Sequence, residues 1–309
     1  MRIAIIGAGG IGGYYGGRLI QAGEEVIFIA RGANLTALRE RGLTVTSVKG
    51  DFHLRRVTAT DDPSTVGPVD LVIIAVKTYQ TDGALGALPP LVGPDTTVLS
   101  LQNGVDAAER LAQVVGEGHV LGGLSYISAE LVAPGEIRHV SQFTRVIVGE
   151  LDRQVTPRAQ AVVAAFARAG AQAELSDDIQ RDIWTKFMFI AVQGPMTGAT
   201  RLTIGAIRDF PPSWAMYEDA LREIDAIARE KGVRLPPTAV EDRLAFVANL
   251  PAEMGSSMLA DVQGGRRSEI ADFSGYVTRQ GEALGIPTPT HRALYAILGS
   301  INHEVEQRA

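Results

Sequence analysis

Met1-Arg2-Ile3-Ala4-Ile5-Ile6-Gly7-Ala8-Gly9-Gly10-Ile11-Gly12 decides the fold: a short apolar run feeds directly into Gly-x-Gly-x-x-Gly. That order is what a dinucleotide-binding strand, turn and helix requires. Gly7 permits the tight turn, Gly9 lets the backbone come close to a pyrophosphate, and Gly12 lets the following helix pack hard on the strand. Phosphates would then meet the free N–H groups and the positive end of the helix dipole. The site spans Gly7, Ala8, Gly9, Gly10, Ile11 and Gly12, and its helix is expected to end near Gly23.

Working outward, the next strand, Glu25 to Ala30, ends in Arg31-Gly32. A fold that prefers NAD would place an acid there on the ribose hydroxyls. Arg31 can instead pair with a 2′-phosphate through forked, charge-assisted hydrogen bonds, so NADP(H) is favoured. The plain alternative is an exposed arginine at a strand end.

Apolar runs then alternate with helical stretches to about residue 175, the rhythm of a doubly wound parallel sheet of Rossmann type. Val69–Val76 ends in Lys77-Thr78, and Thr97–Leu101 ends in Gln102-Asn103-Gly104. Ligands bind beyond the carboxyl ends of such strands, so Arg31, Lys77 and Asn103 are expected around the glycine loop. Gly42–Thr60 reads as an inserted hairpin, and Gly135–Val140 with Thr144–Gly149 as an antiparallel addition at the domain edge. After Ser176 the signal becomes helical: 178–192, 213–231, 251 to about 279 with a glycine interruption, and 290–304. The reading is an α/β chain in two parts, a Rossmann-like domain over 1–176 and an all-α domain over 177–309, with ligand expected in the crevice between them.

The chain has 309 residues, 46% hydrophobic and 21% charged, a net charge of −6 and no cysteine. This is the profile of a soluble globular protein, and without a basic stripe no nucleic-acid partner is expected. Lack of cysteine excludes disulfides, thiolate metal sites and a Cys nucleophile. No segment reads as a signal peptide or membrane span, so no membrane partner and a cytoplasmic location are expected. No metal is expected either, because the five histidines lack ligand spacing. A hydrolase finds no Gly-x-Ser-x-Gly elbow.

Five stretches carry a resemblance to the ketopantoate reductase (2-dehydropantoate 2-reductase) family over essentially the whole chain. They are Gly7–Gly12, Ala75-Val76-Lys77-Thr78, Gln102-Asn103-Gly104, Trp184-Thr185-Lys186-Phe187, and Ser256–Val262 followed by Arg267-Ser268-Glu269-Ile270. The resemblance implies a Rossmann domain followed by a helical one, NADPH as reductant, a small 2-keto acid as substrate, and a place in pantothenate biosynthesis. It makes Lys186 the catalytic lysine, Glu269 a carboxylate near both cofactor and lysine, Asn103 a substrate ligand that also meets the cofactor, and Ser257 a substrate ligand. Arg31, Lys77 and, on a looser match, Ala129 become cofactor contacts.

Chemistry supports Lys186 independently. Hydride arriving at a ketone carbon leaves negative charge on oxygen, and a positive, proton-bearing group must lie within reach. Trp184, Phe187 and Phe189 imply a mostly buried helix, against the usual solvated lysine. For Glu269 the competing role is an ion-pair partner of Arg266 or Arg267, and for Ser257 a backbone-bonded helix serine. Gly264-Gly265 is expected to kink the helix between them or simply to be tolerated. Ser176 or Asp177 is expected to cap the helix that carries Lys186.

One departure bears on the substrate. Where family members that act on ketopantoate carry Asn one and two turns after the lysine, this chain has Ile190 and Gly194, with Ile204 at a third, less secure position. Lys186, Ile190 and Gly194 share a helix face. Loss of amides disfavours a buried hydroxyl, and Gly194 leaves extra room, which points to a bulkier or more apolar 2-keto acid. Gln193 lies one position off, about 100° around the helix, so it replaces the amide only if Pro195 unwinds the helix. A related imine or carbonyl reductase and a non-catalytic NADPH-binding sensor are the alternatives. The apolar C-terminal helices permit a homodimer.

Overall fold

The computed structural model describes residues 1–308. The chain divides into two compact units, Met1–Asp182 and Ile183–Ala309.

In the first unit β1 (Arg2–Ile6) enters α1 (Gly10–Gln21), and β2 (Glu25–Ile29) enters α2 (Gly32–Arg41). The hairpin β3 (Leu43–Ser47) and β4 (Phe52–Leu54) precedes β5 (Thr58–Thr60). Next come β6 (Leu71–Ile74), α3 (Thr81–Leu85), β7 (Thr97–Ser100), α4 (Ala107–Val115) and β8 (Val120–Tyr126). Strands β9 (Ala129–Ala133), β10 (Glu136–His139) and β11 (Arg145–Gly149), helix α5 (Pro157–Arg168) and strand β12 (Gln172–Leu175) complete it.

The main sheet has eight strands in the order β12-β11-β8-β7-β6-β1-β2-β5. From β5 to β8 all neighbours are parallel, and β11 then runs antiparallel to β8. This is the doubly wound order, with its switch point where β1 meets β6. Side chains alternate across the pleat: Ile3 and Ile5 join one buried core with Tyr15, Leu38 and Phe166, while Ala4 and Ile6 join another with Leu88, Val98 and Leu111. Helices therefore cover both faces, which is why β6 and β7 are buried at every position.

Two sequence expectations are corrected here. The stretch 42–60 forms its hairpin only as far as β4, because β5 leaves it to pair with β2 in the main sheet. The stretches 135–140 and 144–149 do not pair with each other. Strand β10 pairs with β3 and β9 in a separate four-stranded sheet, whereas β11 joins β8 and β12. Alternation in sequence marks strands, but it does not name their partners.

The second unit is helical. Helix α6 (Ile179–Thr200) starts in the first unit and continues here, followed by α7 (Ile204–Arg208), α8 (Pro211–Glu230), α9 (Ala239–Ala248), α10 (Ser257–Gln263), α11 (Ser274–Leu284) and α12 (Pro289–Gln307). The long helix expected over 251–279 is two helices, because the chain leaves helical geometry at Gly264 and Gly265, the latter with φ +61°. Helices α8, α11 and α12 are locked by polar contacts as well as packing. Glu223 on α8 accepts the N–H groups of Thr290 (2.7 Å) and His291 (2.9 Å), where the dipole of α12 favours negative charge. Buried His291 shares hydrogen bonds with Ser274 Oγ and the Ala220 carbonyl, both at 3.1 Å, and burial pulls its pKa down to about 4.

Among the described residues no helix is long and apolar enough to cross a membrane.

Candidate active site

Parallel register brings the first set of residues to one end of the sheet. Ile6 pairs with Ile29 and with Ile74, and Ile74 pairs with Ser100, so the chain leaves all four strands at the same level. Gly7, Arg31, Lys77 and Asn103 follow these ends. Gln102, quoted from sequence without a role, ties two of the loops together. Its buried amide donates to the Val76 carbonyl (3.1 Å) and to Thr81 Oγ1 (2.9 Å).

The glycine turn is built so that three of its positions reject a side chain and one leaves space. Gly7 has φ +102°, and a Cβ there would lie 2.6 Å from Val76. On Gly12 a Cβ would lie 1.9 Å from the Gly7 carbonyl oxygen, and on Gly10 2.1 Å from that of Ala129. A Cβ on Gly9 would meet nothing within 4 Å. Close helix packing with an open cradle at the helix N-terminus fits a pyrophosphate, which needs backbone approach rather than side chains. Ala129, the loosest of the sequence assignments, thus lies against the start of α1.

Asn34 was not singled out from sequence. In the first turn of α2, its amide donates to the Ala8 carbonyl (3.0 Å) and accepts from the Gly135 N–H (2.8 Å), joining the glycine turn to the β9–β10 turn. An amide just after Arg31 was a visible signal, but its partner lies 101 residues away. Arg31 itself is exposed at the N-terminus of α2.

The second set centres on α6. Asp178 caps this helix by accepting the Arg181 N–H (3.1 Å), a contribution of about 1 kcal/mol. The cap expected at Ser176 or Asp177 is corrected: Ser176 instead bonds Asp182 (2.5 Å), and Asp177 pairs with Arg181 (2.5 Å). Lys186 is only 7% exposed. Nearby aromatics form a set of edge contacts, with Phe187 centroids 5.8 Å from Trp184 and 6.0 Å from both Phe273 and Tyr276.

Burial disfavours the ammonium form and pulls the Lys186 pKa down to about 8, while the Glu269 carboxylate acts in the opposite direction. Glu269 is itself buried, in the turn between α10 and α11. Of the arginines beside it in sequence, Arg266 pairs with Asp261 (3.1 Å) and Arg267 with Glu306 (3.0 Å).

The remaining positions fall out as follows. Ile190 is half-buried, one turn beyond Lys186. Gly194 is buried, and a Cβ there would fit in ordinary van der Waals contact with Met258 (3.5 Å) and Phe273 (3.6 Å), so the glycine leaves a methyl-sized space walled by apolar neighbours. Helix α6 runs through Pro195 without unwinding. Gln193 is instead turned to α8, where the Tyr217 hydroxyl donates to its Oε1 (3.3 Å). Ile204 is fully buried in α7. Ser257 is exposed at the start of α10, next to Ser256, which caps that helix through the Leu259 N–H (2.9 Å) and bonds Thr197 (2.6 Å). Among the described residues no group of three or more His, Cys, Asp or Glu could hold a metal ion.

A Rossmann-type first unit with this glycine turn, followed by helices that bury a lysine beside a carboxylate, defines a two-part oxidoreductase that uses a nicotinamide dinucleotide. Residues 3–153 match the family model described as ketopantoate reductase PanE/ApbA, and residues 178–302 match its C-terminal counterpart. The chain belongs to the ketopantoate reductase family. It is 31% identical over 300 residues to an uncharacterized oxidoreductase of Bacillus subtilis, covering 96% of this chain and 98% of that one. It is also 31% identical to a 2-dehydropantoate 2-reductase of Mesorhizobium japonicum, covering 96% and 97%. The crystal structure of a ketopantoate reductase family member from Ralstonia eutropha superposes with a TM-score of 0.89 at 33% identity, covering 99% of this chain and all of that one.

Proposed function

We propose that this protein is an NADPH-dependent reductase of a 2-keto acid whose side chain is more apolar than that of ketopantoate. The observation that carries the reading is Lys186, buried beside Glu269, with burial drawing its pKa down to about 8. A lysine in that range is protonated near neutral pH and gives up its proton more readily than a solvated one.

When bound, the dinucleotide would supply the hydride that reduces the keto carbon. Lys186 neutralises the charge that grows on the keto oxygen and donates the proton that makes the alcohol. Glu269 keeps that ammonium charged in surroundings that would otherwise discharge it. Asn103 and Ser257 are assigned to the substrate. The open face at Gly9 takes the pyrophosphate, Arg31 takes the 2′-phosphate, and Lys77 and Ala129 complete the cofactor contacts.

The preference for an apolar side chain rests on Ile190 and on the Met258 and Phe273 contacts around Gly194. These surfaces offer no hydrogen bond, so a buried substrate hydroxyl would cost about 1–3 kcal/mol there. Met258 and Phe273 wall the space at Gly194 with apolar surface, which favours an apolar group there.

Oxidation of NADPH, with NADH alongside, should be followed across a panel of 2-keto acids. Branched or aromatic keto acids with NADPH should give the highest kcat/KM. Clear preference for ketopantoate removes the substrate assignment, preference for NADH removes the cofactor assignment, and no turnover with any keto acid removes the reductase assignment.

A further inference from the structure

Between Gln263, where α10 ends, and Ser274, where α11 begins, the chain carries Glu269 without the support of a regular helix. Both sides of this residue need an anchor if its carboxylate is to stay beside Lys186. Downstream the turn closes on itself: the Glu269 carbonyl accepts the N–H groups of Asp272 and Phe273, each at 3.1 Å, and the Ile270 carbonyl accepts that of Gly275 at 3.0 Å. Upstream lies Gly265 with φ +61°, preceded by Gly264, and the N–H groups of Gly264, Gly265 and Arg266 bond back to carbonyls of α10 at 3.0, 3.2 and 2.8 Å.

Those bonds stop at Arg266, and the anchor immediately before Glu269 comes from another helix. Asn302 on α12 accepts from the Ser268 N–H (2.9 Å) and the Ser268 hydroxyl (3.0 Å), and its Nδ2 donates to the Ser268 carbonyl (2.9 Å). One amide thus grips the N–H and the C=O of a single residue, fixing both peptide planes around it. The second of those planes leads directly into Glu269. Asn302 and Ser268 are both buried. An amide inside a helix is tolerated at such a position only with its hydrogen bonds made, and an aliphatic side chain would fill the space without them. Arg267 and Glu306 add an ion pair at 3.0 Å one turn further along α12, but both are well exposed and contribute little.

We propose that Asn302 is the positioning residue for Glu269: by clamping Ser268 it sets the carboxylate beside Lys186. This rests on the reading of Lys186 and Glu269 as the proton-handling pair. Its consequence is electrostatic. Glu269 supports the charged form of Lys186, so a loosened turn lowers the pH at which Lys186 loses its proton.

The test compares kcat against pH for the full-length enzyme, its Asn302→Ala and Ser268→Ala variants, and Leu298→Ala as a control in the buried face of the same helix. Asn302→Ala should lower kcat about tenfold and move the basic limb down by about half a pH unit or more, with KM for NADPH little changed. Ser268→Ala removes one of the three bonds and should stay close to wild type. Leu298→Ala should lower Tm and leave the limb in place. If Asn302→Ala does not fold, Asn302→Ser, too short to reach both Ser268 groups, takes its place. A wild-type limb in the Asn302 variant, with loss of Tm alone, overturns the proposal.

Titration of Lys186 by the NMR shift of its Cε, without substrate, separates this from the reductase reading. Absence of keto-acid turnover defeats the reading of function, while an Asn302-dependent shift in that titration still supports the clamp and an unchanged one overturns it.

Discussion

The glycine turn of the first unit and the Glu269 turn of the second are both irregular segments on which the proposed function depends, yet they hold their shape by different means. The glycine turn is determined by what its own residues lack. Side chains at Gly7, Gly10 and Gly12 would collide with backbone or with Val76, so its geometry follows from a short stretch of sequence and its immediate neighbours. The Glu269 turn is determined by what distant residues supply: an amide from α12 grips it, and the packing around α6 makes its charge matter. A cofactor cradle can be local, whereas a tuned proton donor needs a buried environment assembled from several elements.

The largest effect that would sharpen this contrast comes from the second region. Lys186→Ala should cut turnover by about 10² to 10⁴. NADPH affinity, measured by fluorescence, should remain near wild type, because the cradle does not depend on this residue. A protein that binds NADPH as a sensor would show no functional response to the change.

Within the glycine turn, two neighbouring substitutions should behave oppositely. Gly12→Ala meets the Gly7 carbonyl and should destabilise the protein by about 1–3 kcal/mol or more, read as a lower Tm. Gly9→Ala meets nothing within 4 Å and sits at φ −79°, so Tm should hold while NADPH affinity falls. Equal Tm losses would show that the open face at Gly9 is not a ligand cradle.

The smallest effect belongs to Arg31, an exposed side chain in solvent that screens its charge. Arg31→Ala should raise KM for NADPH about tenfold and leave that for NADH unchanged. An equal rise for both would remove the 2′-phosphate from its role.

The same division explains what could be read from the sequence. Strand-turn-helix order around Gly7 and the polar residues after β2, β6 and β7 were legible, because burial on both faces writes itself as aliphatic runs and the parallel register then aligns their ends. The burial of Lys186 was legible through its aromatic neighbours on the same helix. Pairing between β3 and β10 was not, since these strands lie far apart in the chain and nothing local selects the partner. Helices α7 and α9 went unread for lack of strong periodicity. The partners of Asn34 and Asn302 were illegible for a different reason: each looks like an ordinary helix amide until its distant backbone partner is brought to it.

The most direct measurement of the central claim is kcat for keto-acid reduction by NADPH as a function of pH. On the proposed mechanism reduction needs the ammonium form of Lys186, whose pKa burial lowers to about 8, so kcat should be level below that pH and fall as pH rises through it. A rate that stays level through this range and declines only near the ordinary lysine value of about 10.4 would contradict a buried lysine as the proton donor.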